Sequence, residues 1–147
     1  MRTWQAAYEH VFGAERLARI DVAGREGLAR RFATDRDHDS FVAVEDDRIV
    51  GFVACGLAGD DEAEGVRELF AIYVLPEFWG TQAASGLMRA ALNALRGRGT
   101  VAAILWVLDD NPRARRFYER EGWQGDGSAE SEYLGVTVPL VRYRLLL

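Results

Sequence analysis

The sequence contains no lysine, so all 18 of its basic side chains are arginine and it offers no lysine amine for modification of itself. A single cysteine excludes an internal disulfide. The longest apolar run is far shorter than a membrane span, and no charged-then-apolar leader opens the chain. We therefore predict a cytoplasmic protein without a membrane partner. A net charge of −5 also argues against nucleic acid as a partner.

The length and composition suit one globular domain. The chain has 147 residues, of which 49% are hydrophobic, and this predicts a single domain over residues 1–147 with its own core. Cys55 lies in the apolar pattern GFVACGLA, which favours a core thiol over a nucleophile, because no histidine or other base lies near it in sequence. The loop at residues 34–40 alternates acidic residues, but no calcium-loop pattern follows. We therefore predict no metal site.

The fold prediction depends most on the stretch VRELFAIYVLPEFWGTQAASGLM, residues 66–88. Residues 66–75 are dense in β-branched and aromatic side chains, which predicts a strand. Pro76 ends this strand because proline cannot donate to a ladder. After a turn that Gly80 permits, apolar residues recur at helical spacing over 83–95. The stretch is therefore a strand, a tight turn and the start of a helix.

A helix that begins straight after a strand has the properties of an anion site. Its first N–H groups are unpaired and its dipole is positive at that end. Small side chains there let a phosphate approach the backbone closely, and this sequence supplies Gly80, Ala83, Ala84 and Ser85. These residues predict a phosphate-binding turn.

Before this stretch, the sequence predicts helices followed by a hairpin. Residues 3–12 have amphipathic helical spacing, and two shorter helical segments follow up to residue 32. Residues 41–45 and 48–57 are two predicted strands, joined at Asp46-Asp47.

After it, the sequence predicts a strand, a helix and a final strand. Residues 101–108 form an apolar run without alternation, which is typical of a strand covered on both faces. Asn111 is a good N-cap, Pro112 a good first helical residue and Gly122 a good stop signal. A loop rich in serine and glutamate follows, and residues 134–147 suit the last strand. Together these elements predict an α/β (α+β) fold, a mixed sheet with helices on both faces.

Two motifs in this pattern resemble the GNAT N-acetyltransferase superfamily. YVLPEFWGTQAASGLM is similar to the acetyl-CoA loop of that family. LWVLDDNPRARRFYEREGW is similar to the second half of its cofactor site, with Asn111, Ala114, Phe117-Tyr118 and Gly122-Trp123 at the family spacing. The resemblance implies a mostly antiparallel sheet of about six strands, in which two parallel strands, 66–75 and 101–108, splay apart.

The resemblance also implies a cofactor and the residues that hold it. Acetyl-CoA would lie in the gap between the splayed strands. Its pantetheine would pair with backbone groups of residues 72–74, as an added strand does, and its pyrophosphate would rest on the N–H groups of residues 80–85. Asn111 would contact the pantetheine from the start of the next helix. The cofactor-binding residues so implied are Ile72, Tyr73, Val74, Trp79, Gly80, Thr81, Gln82, Ala83, Ala84, Ser85, Asn111, Arg115 and Tyr118.

The sequence departs from the family pattern at two places. Trp79 replaces the first polar residue of the family's loop, where we interpret it as an anchoring aromatic, and Gln82 stands where a glycine is expected. A glycine is needed there if the backbone has positive φ. We also predict that the family's first strand is absent, because only two residues precede the helical pattern. This leaves a sheet edge that the partner chain of a homodimer would cover.

The resemblance assigns two catalytic roles. An alkyl amine has a pKa near ~10.4, so an acceptor must lose a proton before it attacks a thioester. Glu68 matches the family's base. The alternative interpretation is that Glu68 only occupies the exposed face of a half-solvated strand. Tyr118 matches the general acid for the leaving thiolate. The alternative interpretation is that Tyr118 only packs against other aromatic residues. The predicted function is transfer of an acetyl group from acetyl-CoA to a primary amine of a small molecule or peptide. A catalytically silent acyl-CoA-binding module is the alternative.

Overall fold

The computed structural model describes residues 35–59, 62–133 and 135–147, and these form a six-stranded mixed sheet with two helices. The helices predicted within residues 3–32, and the question of a missing first strand, lie outside the described residues. The strands, in chain order, are β1 (Asp39–Glu45), β2 (Arg48–Leu57), β3 (Val66–Val74), β4 (Ala102–Leu108), β5 (Gln124–Tyr133) and β6 (Val136–Leu146).

Neighbouring strands are antiparallel except at the centre of the sheet. The order is β1-β2-β3-β4-β6-β5, and β3 and β4 form the parallel pair. The predicted turn between β1 and β2 is confirmed: Asp46 and Asp47 both have positive φ, 46° and 61°. Positive φ at both central residues is what a two-residue hairpin of the favoured twist requires. The predicted mixed sheet with one parallel pair is therefore confirmed.

Two helices flank the centre of this sheet. Helix α1 (Ala83–Gly97) follows β3 after a short 3₁₀ turn at Pro76–Phe78, and α2 (Pro112–Arg120) follows β4. Apolar residues of α1 at helical spacing, among them Met88 and Leu95, are fully buried, and the helix packs against β1, β2 and β3. Tyr118 of α2 belongs to the same core cluster. Within the described residues, both helices thus cover one face of the sheet. Over the same residues, no helix has both the length and the apolar content needed to cross a membrane.

The prediction that Cys55 is a core thiol is confirmed. Its side chain is fully buried on β2 within the cluster that α1 covers. Burial, assisted by the negative charge of Asp39, raises the pKa of this thiol to about 11. A thiol with that pKa is protonated at neutral pH, so it has little nucleophilic character.

The predicted loop after Trp123 is wrong, because residues 124–133 form strand β5. Nine residue pairs join β5 to β6, with a bulge between Gly125 and Gly127. The stretch QGDGSAESE carries no alternation of apolar residues, since its described side chains are exposed at the edge of the sheet. Its strand conformation comes from pairing with β6, and sequence patterns that report burial do not detect such a strand.

The parallel pair separates soon after it forms. Three residue pairs join the strands, from Val66↔Ala102 to Glu68↔Ile104. Beyond Glu68, β3 continues to Val74 along β2, while β4 continues along β6. The two central strands therefore splay apart, and the space between them is open to side chains from both helices.

Candidate active site

A cavity of about 320 Å³ occupies the space where β3 and β4 separate. Its walls come from β3, the turn that follows, the first turn of α1, the end of β4 and one face of α2. The lining residues that were predicted to bind a cofactor are Ile72, Tyr73, Val74, Trp79, Gly80, Ala84, Asn111 and Tyr118. The structure thus brings together residues from both of the sequence motifs.

The start of α1 has the conformation that the phosphate prediction needs. Gly80 has a φ of +78°, in the left-handed region that favours glycine. Gln82 has ordinary right-handed dihedrals, φ −76° and ψ −2°, and therefore does not need to be glycine. Its side chain makes no capping hydrogen bond within the described part of the chain. The N–H groups of Ala84 and Ser85, in the first helical turn, have no carbonyl one turn earlier to bond.

Other predicted residues of this turn do not line the cavity through their side chains. Thr81 supports the turn, because its hydroxyl donates to the Phe78 carbonyl at 2.7 Å and accepts from the Ala83 N–H at 3.3 Å. The hydroxyl of Ser85 donates to Glu121 at 2.7 Å, which ties α1 to the end of α2. Only the backbone of these residues can serve the predicted anion site.

The start of α2 is capped, as predicted. Asn111 is buried, and its side-chain oxygen accepts from the Ala114 N–H at 3.2 Å. Pro112 is the first helical residue, and Gly122, just after the helix, has a φ of +92°. Asn111 therefore has a structural role in addition to its place on the cavity wall.

Arginines on α2 divide between two faces. Arg115 does not line the cavity: its Nε–H donates to the Tyr143 hydroxyl at 3.2 Å, and its guanidinium pairs with Asp109. Arg113, Arg116 and Arg120 line the cavity instead. The sequence motifs did not indicate these three, although the intervals of three and four residues between them place them on one helical face. Of the described residues that line the cavity, none is acidic.

Trp79 links the two walls of the cavity. Its indole N–H donates to the Val74 carbonyl at 2.9 Å, which fixes the turn to the end of β3. The guanidinium carbon of Arg113 lies 3.2 Å from the centre of its ring, a cation–π stack. Trp79 thus anchors its loop and also holds an arginine of α2.

Glu68 lies at the fork of the two strands. It belongs to the last parallel pair, with Ile104, and its neighbours Leu69 and Phe70 begin the cavity wall. The side chain is partly buried. Burial first, and then the negative charge of Glu62, raise the pKa of Glu68 above its usual range. A carboxylate with a raised pKa is a stronger base than an exposed one.

Tyr118 is buried on the opposite wall. It lines the cavity from α2, and its ring packs against Trp123 and Tyr143 at centroid distances of 6.3 and 6.1 Å. Of the predicted catalytic pair, Tyr118 therefore lines the cavity, whereas Glu68 does not line it and precedes the first lining residue, Leu69, on β3.

Comparison with known proteins decides the family. The sequence profile of the acetyltransferase (GNAT) family matches residues 3–123. The chain belongs to the GNAT family. It is 40% identical over 91 residues to an uncharacterised N-acetyltransferase of Archaeoglobus fulgidus, which covers 60% of this chain and 62% of that protein. It is 32% identical over 128 residues to an uncharacterised N-acetyltransferase of Mycobacterium tuberculosis, covering 86% of this chain and 80% of that protein.

A solved GNAT structure shares the fold. The PaiA N-acetyltransferase of Thermoplasma acidophilum, solved in complex with coenzyme A, has a TM-score of 0.74 and 17% identity, covering 96% of this chain and 85% of that one. GNAT proteins use acetyl-CoA, so the predicted cofactor is confirmed as the cofactor of the family to which this chain belongs. The cavity fits this polyanionic group, because it combines a helix start at which Gln82 makes no capping bond within the described chain, three arginines and, among its described lining residues, no carboxylate.

Proposed function

We propose that this protein transfers the acetyl group of acetyl-CoA to the nitrogen of a primary amine, in a small molecule or a peptide, by direct attack. The observation that carries the proposal is the separation of β3 and β4 just beyond Glu68. It opens a cavity whose wall begins at Leu69, the residue after Glu68, and includes the buried phenol of Tyr118. In this reading the cofactor supplies the acetyl group as a thioester.

The backbone of β3 and the start of α1 would hold the cofactor. Residues 72–74 lie on the splayed part of β3, where the parallel ladder has ended. They line the cavity and can pair with an extended amide chain. The Ala84 and Ser85 N–H groups at the start of α1 would donate hydrogen bonds to the phosphates. Gly80 would shape that turn through its positive φ.

Glu68 would act as the base and Tyr118 as the acid. An ammonium group must lose its proton before the nitrogen can attack, and the Glu68 carboxylate would accept it directly or through water. Tyr118 Oη would hold the proton that the leaving thiolate needs. A catalytically silent acyl-CoA-binding module was the alternative, and it depended partly on Gln82. Because Gln82 has ordinary helical dihedrals, that residue no longer favours the alternative.

The first test is Glu68→Gln, followed by release of free coenzyme A with a panel of amines. We expect kcat to fall by about 10²–10⁴-fold, with little change in coenzyme affinity, because general-base catalysis contributes on that order. Glu64→Gln is the matched control, since Glu64 is exposed in the approach to the same strand. Unchanged turnover in the Glu68 variant would remove this residue as the base.

The pH dependence of kcat/KM is a second test of the role of Glu68. Glu68 must be ionised to accept a proton, and its pKa is raised by burial and by Glu62. The acid limb of kcat/KM should therefore fall at a higher pH than an exposed glutamate would give, and it should vanish in Glu68→Gln. An acid limb at the position of an ordinary glutamate would contradict this assignment.

Tyr118→Phe tests the acid. The ring would keep its packing against Trp123 and Tyr143, so the fold should survive. We expect kcat to fall by roughly 10–100-fold, as the loss of a positioned proton donor predicts. A normal rate in this variant would leave Tyr118 with a packing role. Location in the cytoplasm, a single domain over residues 1–147 and a homodimer stay predictions from the sequence.

A further inference from the structure

Glu68 belongs to a row of three residues that crosses the sheet. On β3 it pairs directly with Gly56 of β2, and residues paired in this way present their side chains to the same face. His38, immediately before β1, completes the row. A Cβ at Gly56 would overlap the Cδ2 atom of His38 and would lie 2.8 Å from its Cγ. The His38 ring therefore occupies the side-chain space of Gly56, on the same face of the sheet as Glu68.

The two nitrogens of the His38 ring lie in different surroundings. Cδ2, the ring atom nearest to Gly56, is bonded to Nε2, so Nε2 belongs to the edge of the ring that faces this row. Nδ1 belongs to the opposite edge and lies 3.0 Å from Oδ2 of Asp35. A carboxylate at that distance favours a proton on Nδ1, which leaves a lone pair on Nε2 of the neutral ring. The nitrogen that can accept a proton is thus on the side of Glu68.

Two contacts hold His38 beside β3. The centroid of its ring lies 5.3 Å from that of Phe70, which lines the cavity. One residue before His38, the Asp37 carbonyl accepts from Nη1 of Arg67 at 3.3 Å. Arg67 and Phe70 lie on either side of Glu68 along β3. The segment that carries His38 is therefore attached to the same short part of β3 as the proposed base.

His38 stands between a partly buried carboxylate and an exposed one. Glu68 is partly buried, 16% of the His38 side chain is exposed, and 48% of the Asp35 side chain is exposed. A base that has taken a proton from its substrate must lose that proton before the next turnover. Within the described chain, no group of three or more His, Cys, Asp or Glu side chains could hold a metal ion, so proton transfer suits this pair better than metal binding.

We propose that His38 carries the proton of the acceptor ammonium from Glu68 to solvent, with Asp35 as its positioning residue. The Glu68 carboxylate takes one proton from the ammonium and becomes a carboxylic acid. It then gives this proton to Nε2 of His38, directly or through water, which restores the carboxylate and forms an imidazolium beside Asp35. The imidazolium releases the proton to bulk water. The inference rests on the proposed function, and it adds the route by which the proton leaves.

The test is the release of coenzyme A by His38→Ala in the full chain, with and without added imidazole. We expect kcat to fall about tenfold, less than the roughly 10²–10⁴-fold of a direct base, because Glu68 can still lose its proton slowly to water. KM for acetyl-CoA should not change, because His38 is not among the described residues that line the cavity. Imidazole should restore most of the rate. Pyrazole, a ring of the same shape and much weaker basicity, should not, and neither ring should accelerate the wild type.

Several outcomes would overturn the relay. A wild-type rate in His38→Ala is one, and rescue by both rings or by neither is another, because a space-filling role does not depend on basicity. If His38→Ala does not fold, His38→Gln replaces it and should show the same loss of kcat. Failure of the wild type to release coenzyme A with any amine would refute the proposed function together with the relay. An active wild type with fully active His38 variants would refute the relay alone.

Asp35→Asn tests the positioning role. Asparagine keeps the Oδ1 atom that accepts from the Asp37 N–H at 3.0 Å, so the loop should keep its shape. We expect kcat to fall several-fold, and the same change should cost nothing further in a His38→Ala background, because its effect acts through the imidazole. Asp37→Asn, at an exposed acid of the same loop, is the matched control and should leave kcat unchanged. Additive losses for Asp35 and His38 would remove the positioning role.

Discussion

The two helices that border the cavity begin in opposite ways. At the start of α2, the Asn111 side chain accepts a backbone hydrogen bond from Ala114, so one first-turn donor is already satisfied. At the start of α1, the Gln82 side chain makes no such bond within the described chain, and the Thr81 hydroxyl accepts only from the Ala83 N–H, which leaves the N–H groups of Ala84 and Ser85. Helix α1 therefore offers its backbone to a ligand, whereas α2 offers its side chains.

This difference shows how one cavity can combine two kinds of anion recognition. Backbone N–H groups at a helix start are fixed in direction and need small neighbours, which Ala83 and Ala84 supply. Guanidinium groups reach further and bind phosphate bidentately, but they must be oriented by their surroundings. Trp79 supplies that orientation for Arg113. The backbone N–H groups at the start of α1 and the side chains of α2 are thus complementary features of the same site.

The largest expected effect comes from filling the open start of α1. In Ala84→Asp, a carboxylate would occupy the free N–H groups and repel the phosphates, so affinity for coenzyme A should fall by about 100-fold or more. The same change should raise the free energy of unfolding by about 0.3–1 kcal/mol, because an acid at a helix start is favourable. Calorimetry and urea denaturation measure the two quantities.

Ala84→Asn is the control for this change. It adds similar bulk without the charge, and its loss of affinity should be clearly smaller. If the Asp variant lost stability as well as affinity, the substitution would have disturbed the packing of Ala84. The loss of affinity would then not report on the backbone N–H groups of α1. Full affinity in a stable Asp variant would show that the coenzyme does not use the start of α1.

Local signals explain what the sequence predicted correctly. The hairpin turn at Asp46-Asp47, the end of β3 before Pro76 and the cap at Asn111 each depend on a few adjacent residues. The resemblance to GNAT proteins then supplied the splayed strands. Strand β5 was missed because its conformation depends on pairing with β6, which carries no local signal in exposed residues.

The cavity wall was predicted only in part, for the same reason. The stack of Trp79 on Arg113 joins two motifs that are distant in the sequence, and only the folded chain brings them together. Arg115 was chosen from α2, whereas the fold turns it towards Tyr143. The spacing of Arg113, Arg116 and Arg120 was readable, but which face of α2 meets the cavity depends on the packing of Tyr118 and Trp123.

Removing the cap of α2 should have an intermediate effect, chiefly on stability. Asn111→Ala deletes the acceptor for the Ala114 N–H, and we expect the free energy of unfolding to fall by about 1–2 kcal/mol. Asn111→Ser can still cap the helix and should recover much of that loss. If Asn111 also contacts the coenzyme, affinity should stay reduced in the Ser variant although stability returns. Equal recovery of stability and affinity in Asn111→Ser would show that Asn111 acts only as a helix cap.

The smallest expected effect is at Gln82, and it tests whether this helix start needs the glycine of the family pattern. Gln82 has a φ of −76°, which any residue adopts, so Gln82→Gly should change affinity for coenzyme A by less than about twofold. Gly80 is the contrast, because its φ of +78° places it in the left-handed region. Among the residues that the structure describes, a Cβ at Gly80 meets no neighbour within 4 Å, so the expected cost of Gly80→Ala, about 1–2 kcal/mol in unfolding free energy, comes from the backbone. A large gain of affinity in Gln82→Gly would mean that the glutamine side chain obstructs the phosphates, and that the start of α1 is less open than its backbone indicates.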